Sequence, residues 1–226
     1  ISEGLVGSEM CIRDRNCSVA VSYNGKQISL KEDNNKQYSH AERLHLYIEE
    51  ALNNAKINTK TLDAISVSMG PGSYTGLRIG VSAAKGLCFA LDVPLIAIPT
   101  LDSLSRKIKI TEGYIVPLID ARRMEIYTAI FNSNYSCIES TSAKILEHTS
   151  YLNYLESDSV NFVGNAIQKT KTIINHKNAV FHEELPSAYQ MCEMSFEKFK
   201  SKQFEDLAYF EPFYLKDFIA FTKKNI

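Results

Sequence analysis

No run of the 226-residue chain reaches the roughly 18 consecutive apolar residues that a membrane-spanning helix needs. Neither sign of charge prevails, with 25 lysines and arginines against 26 aspartates and glutamates and a formal net charge of −1. A chain so balanced has no global field drawing it to nucleic acid, so contact with RNA is expected to be local or to come through a partner. A cysteine framework is missing as well. The five cysteines (Cys11, Cys17, Cys88, Cys137, Cys192) are odd in number, scattered and free of C-x-x-C spacing. That argues against a zinc site or a disulfide-stapled fold and for reduced thiols in a cytoplasmic protein. Cys88 falls inside an apolar helical pattern and reads as a small buried hydrophobe. No metal-gripping histidine pair stands out. His40 and His45, five apart, point about 140° apart on a helix, and His148, His176 and His182 read as surface or capping residues.

The most specific stretch that is present runs from Ser66 to Gly80, SVSMGPGSYTGLRIG. A β-branched run meets a Gly-Pro-Gly turn and passes into a helix that Ser73 or Thr75 can cap. Backbone amides at such a turn can hold an anion, so Gly70, Gly72, Ser73, Thr75 and Gly76 are candidate anion-loop residues. The spacing is not that of a Walker A loop, because Gly76 is followed by Leu77 and Arg78 and the nearest lysine is Lys85. Nor is it a dinucleotide fingerprint. A working phosphate loop and a purely structural turn both remain open.

Around this motif the pattern is one of alternating elements. Ser18–Tyr23 and Lys26–Leu30 flank Asn24-Gly25, a type I′ hairpin signal. Ser39-x-x-Glu42 is a capping box. The helix it opens runs to about Asn53, with Ala41, Leu44, Ile48, Ala51 and Leu52 on one stripe and Leu46 and Tyr47 hinting at a second covered face. Strand 63–69, helix 75–91, strand 94–97 and a short helix from Thr100 follow. This order suggests an α/β domain with a mixed sheet. After about Arg106 the pattern restarts with strands 115–119 and 125–131. Less regular elements follow: helix 151–155, strand 160–163, helix 166–174 and helix 187–200. The expected organisation is a first lobe over 16–106 and a smaller second lobe over 107–226, whose segment 210–223 packs back on the first. No internal repeat or low-complexity tract is visible.

Two constellations call for a reason. Gly76, Gly80 and Ala84 recur every four residues in the 75–91 helix, with Ala83 and Gly86 nearby, and mid-helix glycine costs about 1 kcal/mol against alanine. Close backbone approach explains it, either to the domain's own sheet or to another subunit. Asp120, Arg122, Arg123 and Glu125 sit on one turn. A structural turn, with Asp120, Arg122 and Glu125 held by a local ion pair, is favoured over catalysis.

As a whole string, Gly70-Pro71-Gly72-Ser73-Tyr74-Thr75-Gly76-Leu77-Arg78-Ile79-Gly80 resembles the TsaB (YeaZ) family, bacterial partners of the TsaD enzyme that places threonylcarbamoyl on adenosine beside the tRNA anticodon. The resemblance continues through Ala83–Leu87, Pro94–Leu101, Ile119–Tyr127 and Glu211–Lys216, and so covers the chain from about Asn16 onward. It implies the two-lobed actin/Hsp70/sugar-kinase fold. It also implies a non-catalytic subunit that pairs with TsaD, is joined by the ATPase TsaE, forms a homodimer when TsaD is absent, and meets tRNA indirectly. No catalytic residue, metal or cofactor is expected on this subunit, with ATP and magnesium handled by the partners. The positions matching the two metal-binding histidines of TsaD fall at Thr100 and Leu104, which do not support a metal. The helices matching 40–53 and 75–91 build the partner contact in the family, which makes His40, Leu44, Tyr47, Gly76, Gly80, Ala83 and Ala84 candidate interface residues. The small residue usual in the family is Met124 here. Lys216, Lys223 and Lys224 are candidates for direct tRNA contact against a default of solvated surface. An independent ATP-dependent phosphotransferase, a peptidase, and a simple homodimer with no TsaD role are the rival readings.

The first fifteen residues, ISEGLVGSEMCIRDR, depart from the family. A strand of the type I-L-x-I-D-T-S/A should precede Cys17, and it would carry the acidic residue that nucleotide-binding members of the fold use. The segment has no helical or strand period and resembles translated sequencing-adapter read-through. It is expected to be non-native, with the opening strand missing or replaced.

Overall fold

The computed structural model describes residues 5–11, 16–33 and 40–215. Two five-stranded sheets organise them. The first opens with an antiparallel meander of β1 (Leu5–Cys11), β2 (Asn16–Tyr23) and β3 (Lys26–Asp33). The turn between β2 and β3 is Asn24-Gly25, with φ of 50° and 76°, the type I′ geometry the dipeptide predicts. Helix α1 (His40–Ala55) leads to β4 (Ala64–Gly70), parallel to β1, and α2 (Tyr74–Leu91) leads to β5 (Leu95–Pro99), parallel to β4. Ser39, which opens the capping box, lies outside the described residues.

After the short helix α3 (Thr100–Ser105) the same plan is laid down again. Strands β6 (Tyr114–Asp120), β7 (Glu125–Asn132) and β8 (Cys137–Ile145) form a second antiparallel meander. Then α4 (Leu152–Ser157) leads to β9 (Val160–Gly164), and α5 (Ile167–Ile173) to β10 (Ala179–Glu183), both strands parallel to β6. The orders are β3-β2-β1-β4-β5 and β8-β7-β6-β9-β10. Each sheet therefore places its third, second, first, fourth and fifth strands side by side. This doubled arrangement of mixed sheets flanked by helices is the actin/Hsp70/sugar-kinase fold. The chain does repeat itself, then, in topology and not in residues.

The lobes divide differently from the expectation. Helix α6 (Ala188–Lys200) does not belong to the second lobe but packs on β1, β2, β3 and β5 of the first. Ser18 Oγ accepts from Ala188 N (3.0 Å), and Ser66 and Ser195 share a buried hydroxyl bond (2.7 Å). The chain thus returns to the first lobe at Ser187, well before Phe210, and Glu205 then bridges to Leu95 at the sheet edge. Phe213 and Tyr214 continue that return, while 216–223 lie outside the described residues.

The first sheet is covered on both faces. Val19, Val21, Ile65, Val67, Leu95 and Ala97 pack with α1 and α2, and their strand neighbours Ala20, Ala64, Ile96 and Ile98 face α6. This period-2 division explains why β4 reads as a nearly continuous buried run. Of the two expectations for the opening strand, missing or replaced, the first is corrected here. Residues 5–11 form β1 at the centre of the sheet, antiparallel to β2 and parallel to β4.

In the second lobe, α3 and the strand face carrying Ile115, Ile119, Ala129 and Val163 close one core, and α4 and α5 close another around Val116, Leu118, Ile130 and Phe162. Gly164 ends β9 at φ 143°, where an added Cβ would lie 2.0 Å from the Leu118 carbonyl oxygen. Gly164→Ala is therefore expected to lose about 3 kcal/mol or more, because the clash is with backbone and cannot be relieved by a rotamer. Urea unfolding reads this directly. An unchanged midpoint would mean that β6 and β9 do not pair in this register.

Candidate functional site

Three places carry the residues singled out by sequence: the Gly70–Gly76 turn, the outer face of α1 and α2, and the β6–β7 turn.

The Gly70–Gly76 turn joins β4 to α2. Ser73 caps the helix, its hydroxyl accepting from Gly76 N at 3.4 Å and its carbonyl from Leu77 N at 2.9 Å. Thr75 is exposed and takes no part in the cap. The chain's own C-terminal segment lies on this turn. Phe213 N donates to Met69 O at 2.7 Å, and a Cβ on Gly70 (φ 111°) would stand 2.8 Å from the Phe213 carbonyl oxygen. Lys85 Nζ ties the segment down through Ala208 O and Phe210 O, at 3.2 and 3.0 Å. The Tyr214 ring lies 4.9 Å from that of Tyr74, and the Arg78 guanidinium sits 4.3 Å over Tyr74 while donating to Tyr214 OH. The cavity shared by Pro71, Gly72, Tyr74, Tyr127, Phe213, Tyr214 and Leu215 holds only about 50 Å³. Ligand pockets typically run to about 300–1,000 Å³. These residues do not fit a nucleotide phosphate. The turn packs as structure, seating the C-terminal segment.

The α1–α2 face corrects the interface residues. Leu44, Tyr47 and Ala84 lie in the core beneath the helices, and Gly76 and Gly80 are buried. The small-residue stripe faces the domain's own sheet. Tyr47 is the second covered face foreseen for α1, its hydroxyl donating to the Asp33 carboxylate, whereas Leu46 is 49% exposed. The side chain of His40 lies outside the described residues. Of the residues named, only Ala83 lines the outer groove. That groove, about 500 Å³, is formed by His45, Arg78, Ile79, Ser82, Ala83, Gly86 and Leu87. A second groove of about 390 Å³ continues it along α1, sharing His45 and Leu87. Phe89, 85% exposed, stands one turn beyond Gly86. Sequence reasoning missed Ser82 and Phe89, and named Gly86 only beside the small-residue stripe. The signal was available, because Arg78, Ser82 and Gly86 recur every four residues and the charge on Arg78 marks that stripe as the wet one.

At the β6–β7 turn Asp120 has a different ion-pair partner from the local one expected. Asp120 Oδ1 pairs with Lys169 Nζ of α5 at 3.0 Å. It binds Arg122 through the backbone, accepting from Arg122 N at 2.7 Å. Lys169 Nζ also donates to Arg123 O and Glu125 O, at 3.1 and 2.5 Å. Arg122 and Arg123 hold φ of 74° and 51°, two successive left-handed residues that cost about 1–2 kcal/mol each. Lys169 stands 49 positions from Asp120, and nothing local in the sequence pointed to it.

The places matching a metal pair are filled by structure. Thr100 Oγ1 shares a 2.6 Å bond with Ser68 Oγ, and Leu104 is fully buried. Neither fits a metal. Among the described residues no group of three His, Cys, Asp or Glu could hold one, and no helix is long and apolar enough to cross a membrane. Burial pushes the Cys17 and Cys88 thiols up to about 12 and that of Cys192 to about 11, so all three stay protonated and poorly nucleophilic near pH 7. His148, His176 and His182 make hydrogen bonds with Ile173 O, Asn178 N and Asn161 Oδ1.

With this geometry in view, the comparisons with known proteins gain meaning. Residues 34–224 match the family model described as TsaD: tRNA N6-adenosine threonylcarbamoyltransferase. The chain is 27% identical over 219 residues, 92% of each sequence, to the tRNA threonylcarbamoyladenosine biosynthesis protein TsaB of Haemophilus influenzae. It is 37% identical over 101 residues, 45% of this chain and 44% of the other, to TsaB of Bacillus subtilis. The crystal structure of YeaZ from Pseudomonas aeruginosa superimposes with a TM-score of 0.81 at 22% identity, over 94% of this chain and all of that one.

Proposed function

We propose a role for a chain that belongs to the TsaD-type threonylcarbamoyltransferase family and, within it, to TsaB (YeaZ). Its biological setting is tRNA threonylcarbamoyladenosine biosynthesis. Within that pathway the chain is a non-catalytic subunit. It docks on a TsaD-type enzyme, TsaE joins the pair, and a second copy takes the same face when the enzyme is absent. Its contribution is to hold the catalytic partner in a competent arrangement while that partner moves threonylcarbamoyl onto adenosine. ATP and magnesium belong to the partner subunits, and the setting is the cytoplasm.

One observation carries this reading. The turn that could cradle phosphate is closed by the chain's own Tyr74, Phe213 and Tyr214, leaving about 50 Å³, while the outer faces of α1 and α2 stay open with Phe89 and Leu46 exposed. An apolar surface beside a filled pocket suits a protein whose ligand is another protein.

Reconstitution of the modification with a matched TsaD-type enzyme, TsaE and the adenylate synthase, with and without this chain, tests the proposal. Modification that requires the chain, with no ATP binding by the chain alone, is the expected result. Modification that proceeds unchanged without it would remove the proposal. Magnesium-dependent ATP binding by the isolated chain would favour an independent phosphotransferase.

A further inference from the structure

We propose that the Arg122-Arg123 turn is a contact for the phosphate backbone of the RNA substrate. This rests on the reading that the chain works in tRNA modification. Much of the backbone of the turn is engaged. Ala121 N donates to Glu125 O (3.1 Å), Glu125 N to Arg122 O (3.1 Å) and Leu146 N to Met124 O (2.8 Å), and Lys169 holds the carbonyls of Arg123 and Glu125. Asp120 is paired with Lys169 at 3.0 Å. What the turn presents to solvent is the pair of arginine side chains and Met124. Among the described residues neither guanidinium enters an ion pair or a side-chain hydrogen bond. Two planar forks of donors on a rigid support match phosphate oxygens bidentately and lose little freedom on binding.

The surroundings favour RNA over an acidic protein. Tyr127, two residues beyond Glu125, meets Tyr74 and Tyr214 at the small cavity between the lobes, and Arg78 stacks on Tyr74. Tyr127 lies on the strand that leaves the turn, and arginine with tyrosine is the combination that RNA phosphates and bases engage. Glu211 tempers the charge of Arg78, so the contact is local, as the net charge of −1 requires. Arg78 also lines the α1–α2 groove, which puts this combination beside the face proposed for the catalytic partner.

The test is fluorescence anisotropy of a 5′-labelled, unmodified tRNA transcript against the co-purified complex of this chain with its TsaD-type enzyme, from 0.05 to 0.3 M salt. The Arg122→Ala/Arg123→Ala variant is expected to bind roughly 10- to 30-fold more weakly near 0.15 M salt, with a log–log salt slope smaller by about 1 per arginine. The Arg122→Lys/Arg123→Lys variant keeps most of the slope. An unchanged slope in an intact double-alanine complex overturns the proposal. So does a variant that loses the protein partner but not the RNA, which would assign the turn to an acidic protein surface. A wild-type complex that neither binds nor modifies tRNA overturns the parent reading as well, and so marks that failure apart from the others.

Discussion

A Gly86→Arg protein unfolds at the wild-type temperature and no longer co-purifies with its TsaD-type partner. Gly86 sits on the outer face of α2, and a Cβ added there meets nothing within 4 Å. Replacing a mid-helix glycine even favours the helix, by up to about 1 kcal/mol. The arginine instead fills the groove between His45, Ile79 and Leu87 and puts a charge where an apolar partner surface would close. Residues at the centre of an interface cost about 2 kcal/mol or more when spoiled, so the affinity is expected to fall by about thirtyfold or more. The contrast is with Gly80→Leu and Ala84→Arg, which enter the core beneath α2, where Ala84 is only 2% exposed. Those variants are expected to lose the fold and the partner together. Pull-down and thermal unfolding of all three separate the cases. A Gly86→Arg chain that co-purifies at full yield would take this stretch of α2 out of the interface.

The second large effect concerns stability. Rewriting Leu5–Cys11 as a strand of the type I-L-x-I-D-T-S is expected to raise the unfolding temperature by roughly 5 °C and to sharpen the transition. The internal duplication supplies the standard of comparison. β1 and β6 occupy the same central place in their sheets. β6 reads YIVPLID and buries Ile115 through Ile119, whereas β1 reads LVGSEMC. A strand with neighbours on both sides and helices over both faces favours unbroken apolar sequence. The exchange adds one aliphatic side chain, at Ser8, worth about 1.5–3 kcal/mol if it enters the core, and each kcal/mol shifts the midpoint by about 2–4 °C in a chain of this size. Equal midpoints for the two proteins would show that 5–11 is a sound native strand and that its likeness to read-through sequence is accidental.

Much of the architecture was legible where the local signal was strong. The Asn24-Gly25 hairpin, α1, β4, α2, β6, β7, β9 and α6 follow from turn chemistry and from periods of 2 or 3.6, and each falls within a few residues of its expected place. β8 and β10 were not legible. They are edge strands whose residues lie mostly half-buried or exposed, so no sharp alternation marks them. At the candidate sites the orientation of the named residues was not legible. Gly76, Gly80 and Ala84 do permit close approach, but to their own sheet. Asp120 does hold its turn, but through Lys169.

The sequence by itself determined the family, the α/β class, and the turn at Gly70–Gly76, because those rest on contiguous residues and short-range geometry. Only the tertiary structure decided which stripe of α2 is wet, that α6 belongs to the first lobe, and that the C-terminal segment closes the glycine turn. It alone revealed that the two lobes share one topology. Each of these depends on contacts between residues far apart in the chain, such as Lys169 with Asp120 or Phe213 with Met69. A helix with small residues on two adjacent stripes carries no local mark of which one the sheet will cover, and packing settles that choice.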